Sequence, residues 1–275
     1  MKREIVSYNL NLQQGVAARF YVNDLPLFDR LVEGQRSRNG GLNDRLVPGE
    51  NELRIELLWA DDSVVQTPAG PPIDEMDRQA RAERRKRLSA LIFKTGPTGG
   101  DSIAVIHQAI FPDWWAEVEP EQRRLPYHYV ATFDPGVDVY ELAFLSATPV
   151  DVPCTGTAEL RTFVEDLHQT FAAGDKAKLI DLMSLQIEEF AKAFEGGGVS
   201  MAEQIEAYDE FFDDDFDILP LDPALLHFTP RAGGRVVEVT RTDDRPVIAA
   251  VTRTAGFSHT SNPLLIQHGG RWRLM

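Results

Sequence analysis

At 275 residues, 43% hydrophobic and 26% charged, with a formal net charge of −15, the chain has room for two ordinary domains, each able to bury a core. Its longest apolar runs, such as Val247-Ile248-Ala249-Ala250-Val251, are strand length and exclude a helical membrane span. The acidity disfavours nucleic acid and anionic lipid as partners and favours a basic one. A single cysteine, Cys154, excludes an internal disulfide and fits a reducing compartment. The opening Met1-Lys2-Arg3-Glu4-Ile5 is followed by Asn, Gln and Ser instead of the apolar core of a secretory signal, so a cytoplasmic protein is expected.

A change of pattern near residue 154 divides the chain. Before it, residues 3–12 and 16–23 alternate as two strands joined at Gln14-Gly15, with Tyr8, Leu10 and Leu12 on one face. Pro48-Gly49 sets up a tight turn, after which Leu53, Ile55 and Leu57 alternate with charged residues. Further strands are expected at 89–94, 102–111, 127–133 and 138–146. About seven strands with turns between them suit an all-β sandwich over residues 1–150. The Pro48-Gly49-Glu50-Asn51 turn before an alternating strand resembles that of immunoglobulin-like sandwich domains, over about a dozen residues.

Between these strands, Asp74 to Leu88 carries Arg78, Arg81, Arg84, Arg85, Lys86 and Arg87. Asp74, Glu75, Asp77 and Glu83 offset part of that charge, so a solvated helical insertion is expected there in preference to an arm for an anionic partner. Lys94 to Ser102 superficially resembles a phosphate-cradling loop, but it lacks the Gly-Lys-Ser/Thr ending and precedes a strand. A hairpin turn is the expectation. Trp114 and Trp115 are adjacent, so in a strand one indole enters the core and the other faces outward. Trp115 is the candidate anchor for a partner, or a stacking platform for carbohydrate.

After residue 154 come three punctuated amphipathic helices. The first spans about Thr157 to Ala172, with Leu160, Phe163, Val164, Leu167 and Phe171 at helical spacing and Gly174 ending it. The second starts at the N-cap Asp175 and carries Leu179, Met183, Ile187, Phe190 and Phe194 before Gly196-Gly197-Gly198. The third opens with the capping box Ser200-Met201-Ala202-Glu203 and buries Met201, Ile205, Tyr208 and Phe212. Strands are expected at 224–230, 235–241, 247–253, 263–268 and 271–275, with hairpin turns at Gly233-Gly234 and Gly269-Gly270. The expected architecture of residues 155–275 is therefore α+β, with three helices packed on a curved antiparallel sheet.

Phe171-Ala172-Ala173-Gly174-Asp175 between the first helices and the closing Pro263-Leu264-Leu265-Ile266-Gln267-His268-Gly269-Gly270-Arg271-Trp272-Arg273 resemble the cystatin-like cone fold of nuclear-transport-factor-two-like proteins. The chain departs from that pattern in a longer second helix and in having no clear strand between helices two and three. The resemblance implies a fold that hosts enzymes, small-molecule binders and protein-binding modules, so it does not select among them.

The charge is unevenly placed: −12 falls in residues 155–217, against −5 in residues 1–150 and +3 in residues 218–275. Asp209, Glu210, Asp213, Asp214, Asp215 and Asp217 form the densest acidic run, interleaved with Phe211, Phe212 and Phe216. As a calcium loop it lacks the turn glycine and the closing glutamate, so it reads as a solvated carboxylate face, or as a docking face for a basic protein. His107, His128, His168, His227, His259 and His268 show no metal-ligand spacing, and no Gly-x-Ser-x-Gly elbow occurs. Cys154 precedes a helix N-terminus but has no partner base in view. The expectation is a non-catalytic, cytoplasmic protein-binding factor without metal or cofactor, such as an immunity-type antitoxin or a secretion-system adaptor. Its partner-binding residues would be Asp209, Glu210, Asp213, Asp214, Asp215, Asp217 and Trp115. The alternative is a small-molecule binder or enzyme using a cavity in the second, cone-like domain, with an Asp or His as acid or base.

Overall fold

The computed structural model of the chain describes residues 4–11, 16–27, 37–59, 89–96, 102–111, 126–194, 200, 202–203, 205–206, 216–252 and 258–275. Among them the architecture is mixed and β-rich, with antiparallel sheets and three α-helices. The chain divides into two units, Met1–Val139 and Tyr140–Met275. Residues 140–154, which composition places with or just after the first half, thus belong to the second unit.

The first unit is built from β1 (Ile5–Asn11), β2 (Val16–Val22), β3 (Leu25–Pro26), β4 (Ser37–Gly41), β5 (Asn51–Trp59), β6 (Ser89–Thr95), β7 (Ser102–Ala109) and β8 (Tyr127–Phe133). They form two four-stranded sheets, ordered β4-β1-β6-β7 and β3-β2-β5-β8. β1 and β2, neighbours in sequence, therefore lie in different sheets. Alternation dictates which side of each strand is buried: Val6, Tyr8 and Leu10 of β1 and Leu53, Ile55 and Leu57 of β5 all join one core with Ala18, Phe20, Val22, Ala90, Ile92 and Phe133. Tyr8 and Phe20 stack across the two sheets at 5.6 Å between ring centroids. Each fully buried side chain of this size contributes about 1.5–3 kcal/mol. Lys94 to Ser102 joins the antiparallel strands β6 and β7, as the hairpin reading requires.

The short β4 has no alternating apolar pattern. It pairs with β1 so that Gly40 lies opposite Tyr8, and a Cβ built at Gly40 would stand 3.1 Å from the Tyr8 ring. The aromatic ring covers the glycine and supplies the packing that the strand's own residue lacks.

The turn into β5 is held by one side chain. Asn51 is fully buried. Its Oδ1 accepts from the Val47 N–H at 2.8 Å and from Asn23 Nδ2 at 2.7 Å, while its Nδ2 donates to the carbonyls of Val47 and Gly49 at 3.0 and 2.8 Å. All four hydrogen-bonding positions of the amide are used. Asn23 extends the network through the Arg45 carbonyl and the Glu52 N–H, and Asn43 bonds the N–H of Val6 and the carbonyl of Glu4.

The second unit opens with a correction to the expected strand over 138–146. Ala143–Ser146 is instead a single helical turn, α1. Leu142, Phe144 and Ala147 are its buried residues and flanks. The Ala143 N–H bonds a carboxylate of the next long helix but one, which stabilises a turn in place of a ladder. α2 (Ala158–Ala173) is capped by Thr157, whose side chain accepts from the Leu160 N–H, and is stopped by Gly174 at φ 63°. α3 (Lys176–Ala193) is capped by Asp175 on Lys178. Leu160, Val164, Leu167 and Phe171 of α2, and Leu179, Met183 and Ile187 of α3, enter one core with Leu226, Phe228, Val237, Val239, Leu265, Trp272 and Leu274.

The strands that meet these helices are β9 (Phe216–Ile218), β10 (Leu226–Arg231), β11 (Val236–Arg241), β12 (Ile248–Thr252), β13 (Ser258–Ser261), β14 (Leu264–His268) and β15 (Arg271–Leu274). They form two antiparallel sheets, β10-β11-β14-β15 and β13-β12-β9, where the sequence suggests one. Gly233-Gly234 and Gly269-Gly270 fall in the β10–β11 and β14–β15 turns. Gly156 is fixed by packing, since a Cβ there would lie 2.5 Å from the Phe228 ring at a φ of +74°.

Asn51→Ala is expected to lower stability in urea unfolding by about 3 kcal/mol, because it leaves several buried polar groups unmatched. Glu50→Ala, one residue earlier and exposed, is expected to stay within about 0.5 kcal/mol.

Candidate functional site

The acidic face inferred from sequence begins on α2 and α3, and there the structure spends much of its charge internally. Glu189 of α3 is buried at 9% exposure. Its carboxylate accepts from the Ala143 N–H at 2.6 Å and from Tyr140 Oη at 3.3 Å. A carboxylate at the first N–H of α1 takes the place of the side-chain cap that Leu142 lacks. Lys192, one turn on, pairs with Glu188, lies 4.0 Å from Glu189 and sits 5.5 Å from the centre of the Tyr140 ring. The hydrogen bond to Glu188 raises the Lys192 pKa above its ordinary value. Lys178 pairs with Asp166, and Asp175 is occupied as the α3 cap.

The cationic residues of the last strands are partnered in the same way. Arg231 of β10 bonds Glu238 of β11 at 2.6 and 2.8 Å, with both side chains largely buried. Arg241 grips Asp243 through two bonds of 2.9 and 2.7 Å, and that hydrogen bonding holds the Asp243 carboxyl below its ordinary range.

One stretch of the sequence is uniformly acidic. From Glu195 to Asp217 the sequence holds nine carboxylates and no lysine or arginine. Three of them are placed, and Glu206 is exposed. Glu203 completes the expected capping box: it accepts from the Ser200 N–H at 2.5 Å and its own N–H donates to Ser200 Oγ at 3.2 Å. Those bonds pull its carboxyl below the ordinary range. Asp217 stands on β9 opposite Val251, with its side chain exposed. Asp209, Glu210, Asp213, Asp214, Asp215 and Trp115 lie outside the described residues, as do Trp114 and the basic stretch 74–88.

The remaining candidates are dispersed. Cys154 is exposed and unpaired with another cysteine, and its carbonyl accepts from the Phe228 N–H. His168 bonds the Leu219 carbonyl at 2.9 Å from α2. His107 meets Tyr129 in the first unit. Among the described residues no group of three His, Cys, Asp or Glu side chains is disposed to hold a metal ion. The core shared by α2, α3 and the strands is apolar; Trp272 Nε1 on β15 and Gln186 Oε1 on α3 are buried with no hydrogen-bond partner.

No protein-family model matches the chain, and no curated protein or solved structure is significantly similar to it.

Glu189, invisible as anything but one more acidic residue in the sequence, is a structural carboxylate. Glu189→Ala is expected to cost about 2–3 kcal/mol in urea unfolding by leaving the part-buried Ala143 N–H without its carboxylate.

Proposed function

We propose that the protein is a non-catalytic binding factor that docks a basic protein through the acidic stretch between Glu195 and Asp217. The observation that carries this reading is the contrast in pairing. On α2, α3, β10 and β11 several charges are matched in pairs or used as caps, whereas between Glu195 and Asp217 the sequence holds nine carboxylates and no lysine or arginine. A carboxylate-rich segment of that density raises the encounter rate with a basic surface and repels acidic ones. An immunity-type factor neutralising a basic toxin fits this chemistry, as does an adaptor of a secretion system. The two packed layers of the first unit support reading it as an immunoglobulin-like sandwich. The helices lying on antiparallel sheet support a cone-like α+β domain for the second. Both would serve as rigid carriers for the docking segment.

Reversal of Asp213, Asp214 and Asp215 to Lys is expected to abolish capture of a basic partner in an affinity pull-down, while urea unfolding changes by less than about 1 kcal/mol. Capture that survives the triple reversal, or a captured partner that is itself acidic, contradicts the proposal.

A second reading, a small-molecule ligand between the helices and the sheet, has one observation in its favour. Trp272 Nε1 and Gln186 Oε1 are each buried without a hydrogen-bond partner, and a polar ligand reaching either one would satisfy it. If that interface holds no ligand, Gln186→Met removes an unsatisfied group and raises stability by up to about 1 kcal/mol. A loss of more than that in thermal unfolding would show the amide to be in use and favour this second reading.

A further inference from the structure

β7 and β8 are the terminal strands of different sheets, and no backbone ladder joins them. Side chains make the connection. His107 Nε2 lies 3.0 Å from Tyr129 Oη, and the His107 ring lies 6.5 Å from Phe133. Phe111, just beyond β7, lies 5.7 Å from Tyr129 and 6.4 Å from Tyr127.

On its other side β7 pairs with β6 through an irregular ladder. Its pairing with β6 slips twice, between Ile92 and Phe93 and between Lys94 and Thr95, leaving Ile106 and Ile103 as bulged residues. Bulges at a sheet rim interrupt the ladder and re-aim side chains. The bulge at Ile106 sets His107 opposite the buried Ile92 and Val105 opposite Phe93. Val105, Ile110 and Val130 stand exposed on or beside these two strands, at 61%, 78% and 57%. An apolar sheet edge of this kind is a template for further pairing if it comes loose.

We propose that the His107–Tyr129 hydrogen bond is a proton-controlled latch that holds the bulged edge strand β7 against β8 and releases it on acidification. In the tautomer with the proton on Nδ1, neutral His107 accepts the Tyr129 hydroxyl proton at Nε2. Protonation removes that acceptor. The imidazolium can still donate to the phenol oxygen, but it then stands among Phe133, Tyr129 and Ile92, and among the described residues no carboxylate bonds to it. Tyr129 and, one step away, Tyr127 are the titratable groups facing it from β8; Ile92 faces it from β6. A half-buried cation without a counter-charge is relieved by opening further to water. Burial accordingly lowers the His107 pKa from its model-compound value of 6.5. A histidine depressed in the closed state favours closure fully above about pH 6.5 and loses that contribution as the pH falls through 6.5 to the lower folded value.

Hydrogen exchange of the full chain tests this between about pH 7.5 and about pH 5.5, corrected for intrinsic rates, with β5 as the internal reference. The β7 amides should lose protection relative to β5 by up to about tenfold per pH unit, the limit for one coupled proton. His107→Gln, whose amide can accept from Tyr129 at any pH, should hold β7 protection constant, and Tyr129→Phe should lower it at both ends of the range. In the wild type, the His107 ring resonance should titrate with the same midpoint as β7 exchange. Parallel loss in β5 and β7, a His107→Gln variant that keeps the wild-type response, or two different midpoints would each overturn the latch.

Discussion

Both units depend on one constraint: a polar group taken out of water must find a partner, or its desolvation erodes the few kcal/mol that separate folded from unfolded. In the first unit the constraint settles on Asn51, fully buried and bonded at all four positions. In the second it settles on Glu189, whose carboxylate meets a backbone N–H and a phenol. Apolar burial supplies most of the driving force but is indifferent to detail. These two side chains decide which turn precedes β5 and which segment lies along α3.

The same constraint organises the surface charge. A carboxylate beside a lysine, such as Asp166 with Lys178, or one spent as a cap, such as Asp175, contributes little to the field felt by a distant partner. Arg231 with Glu238 and Arg241 with Asp243 do the same for the last strands. Net charge is thus a poor guide to where a protein attracts others. The informative quantity is what remains after internal pairing; between Glu195 and Asp217 the sequence supplies nine carboxylates and no lysine or arginine.

Much of the local structure was legible in the residues. Thr157, Gly174, Asp175 and the Ser200–Glu203 box are local signals, because a cap needs only its own turn to be satisfied. Leu53, Ile55 and Leu57 announce a half-buried strand for the same reason. What failed was non-local. The segment 138–146 alternates well enough for a strand, yet Glu189, some forty-six residues on, makes it a turn. β4, with the sequence Ser-Arg-Asn-Gly-Gly, has no apolar pattern because Tyr8 of another strand supplies its cover. The separation of β1 from β2 into two sheets depends on partners distant in sequence. At the site, charge density pointed to the acidic stretch, but composition could not tell a paired carboxylate from an unmatched one. His107 looked like an isolated histidine because the bulge that turns it toward Tyr129 leaves no mark in the sequence.

The ionic-strength dependence of the association rate with a basic partner tests the central claim most directly. If an unmatched anionic segment guides the encounter, the rate constant falls by about tenfold or more between low and physiological salt while the dissociation rate changes little. An association rate that is flat across that range would mean that the carboxylates between Glu195 and Asp217 play no part in attracting a partner.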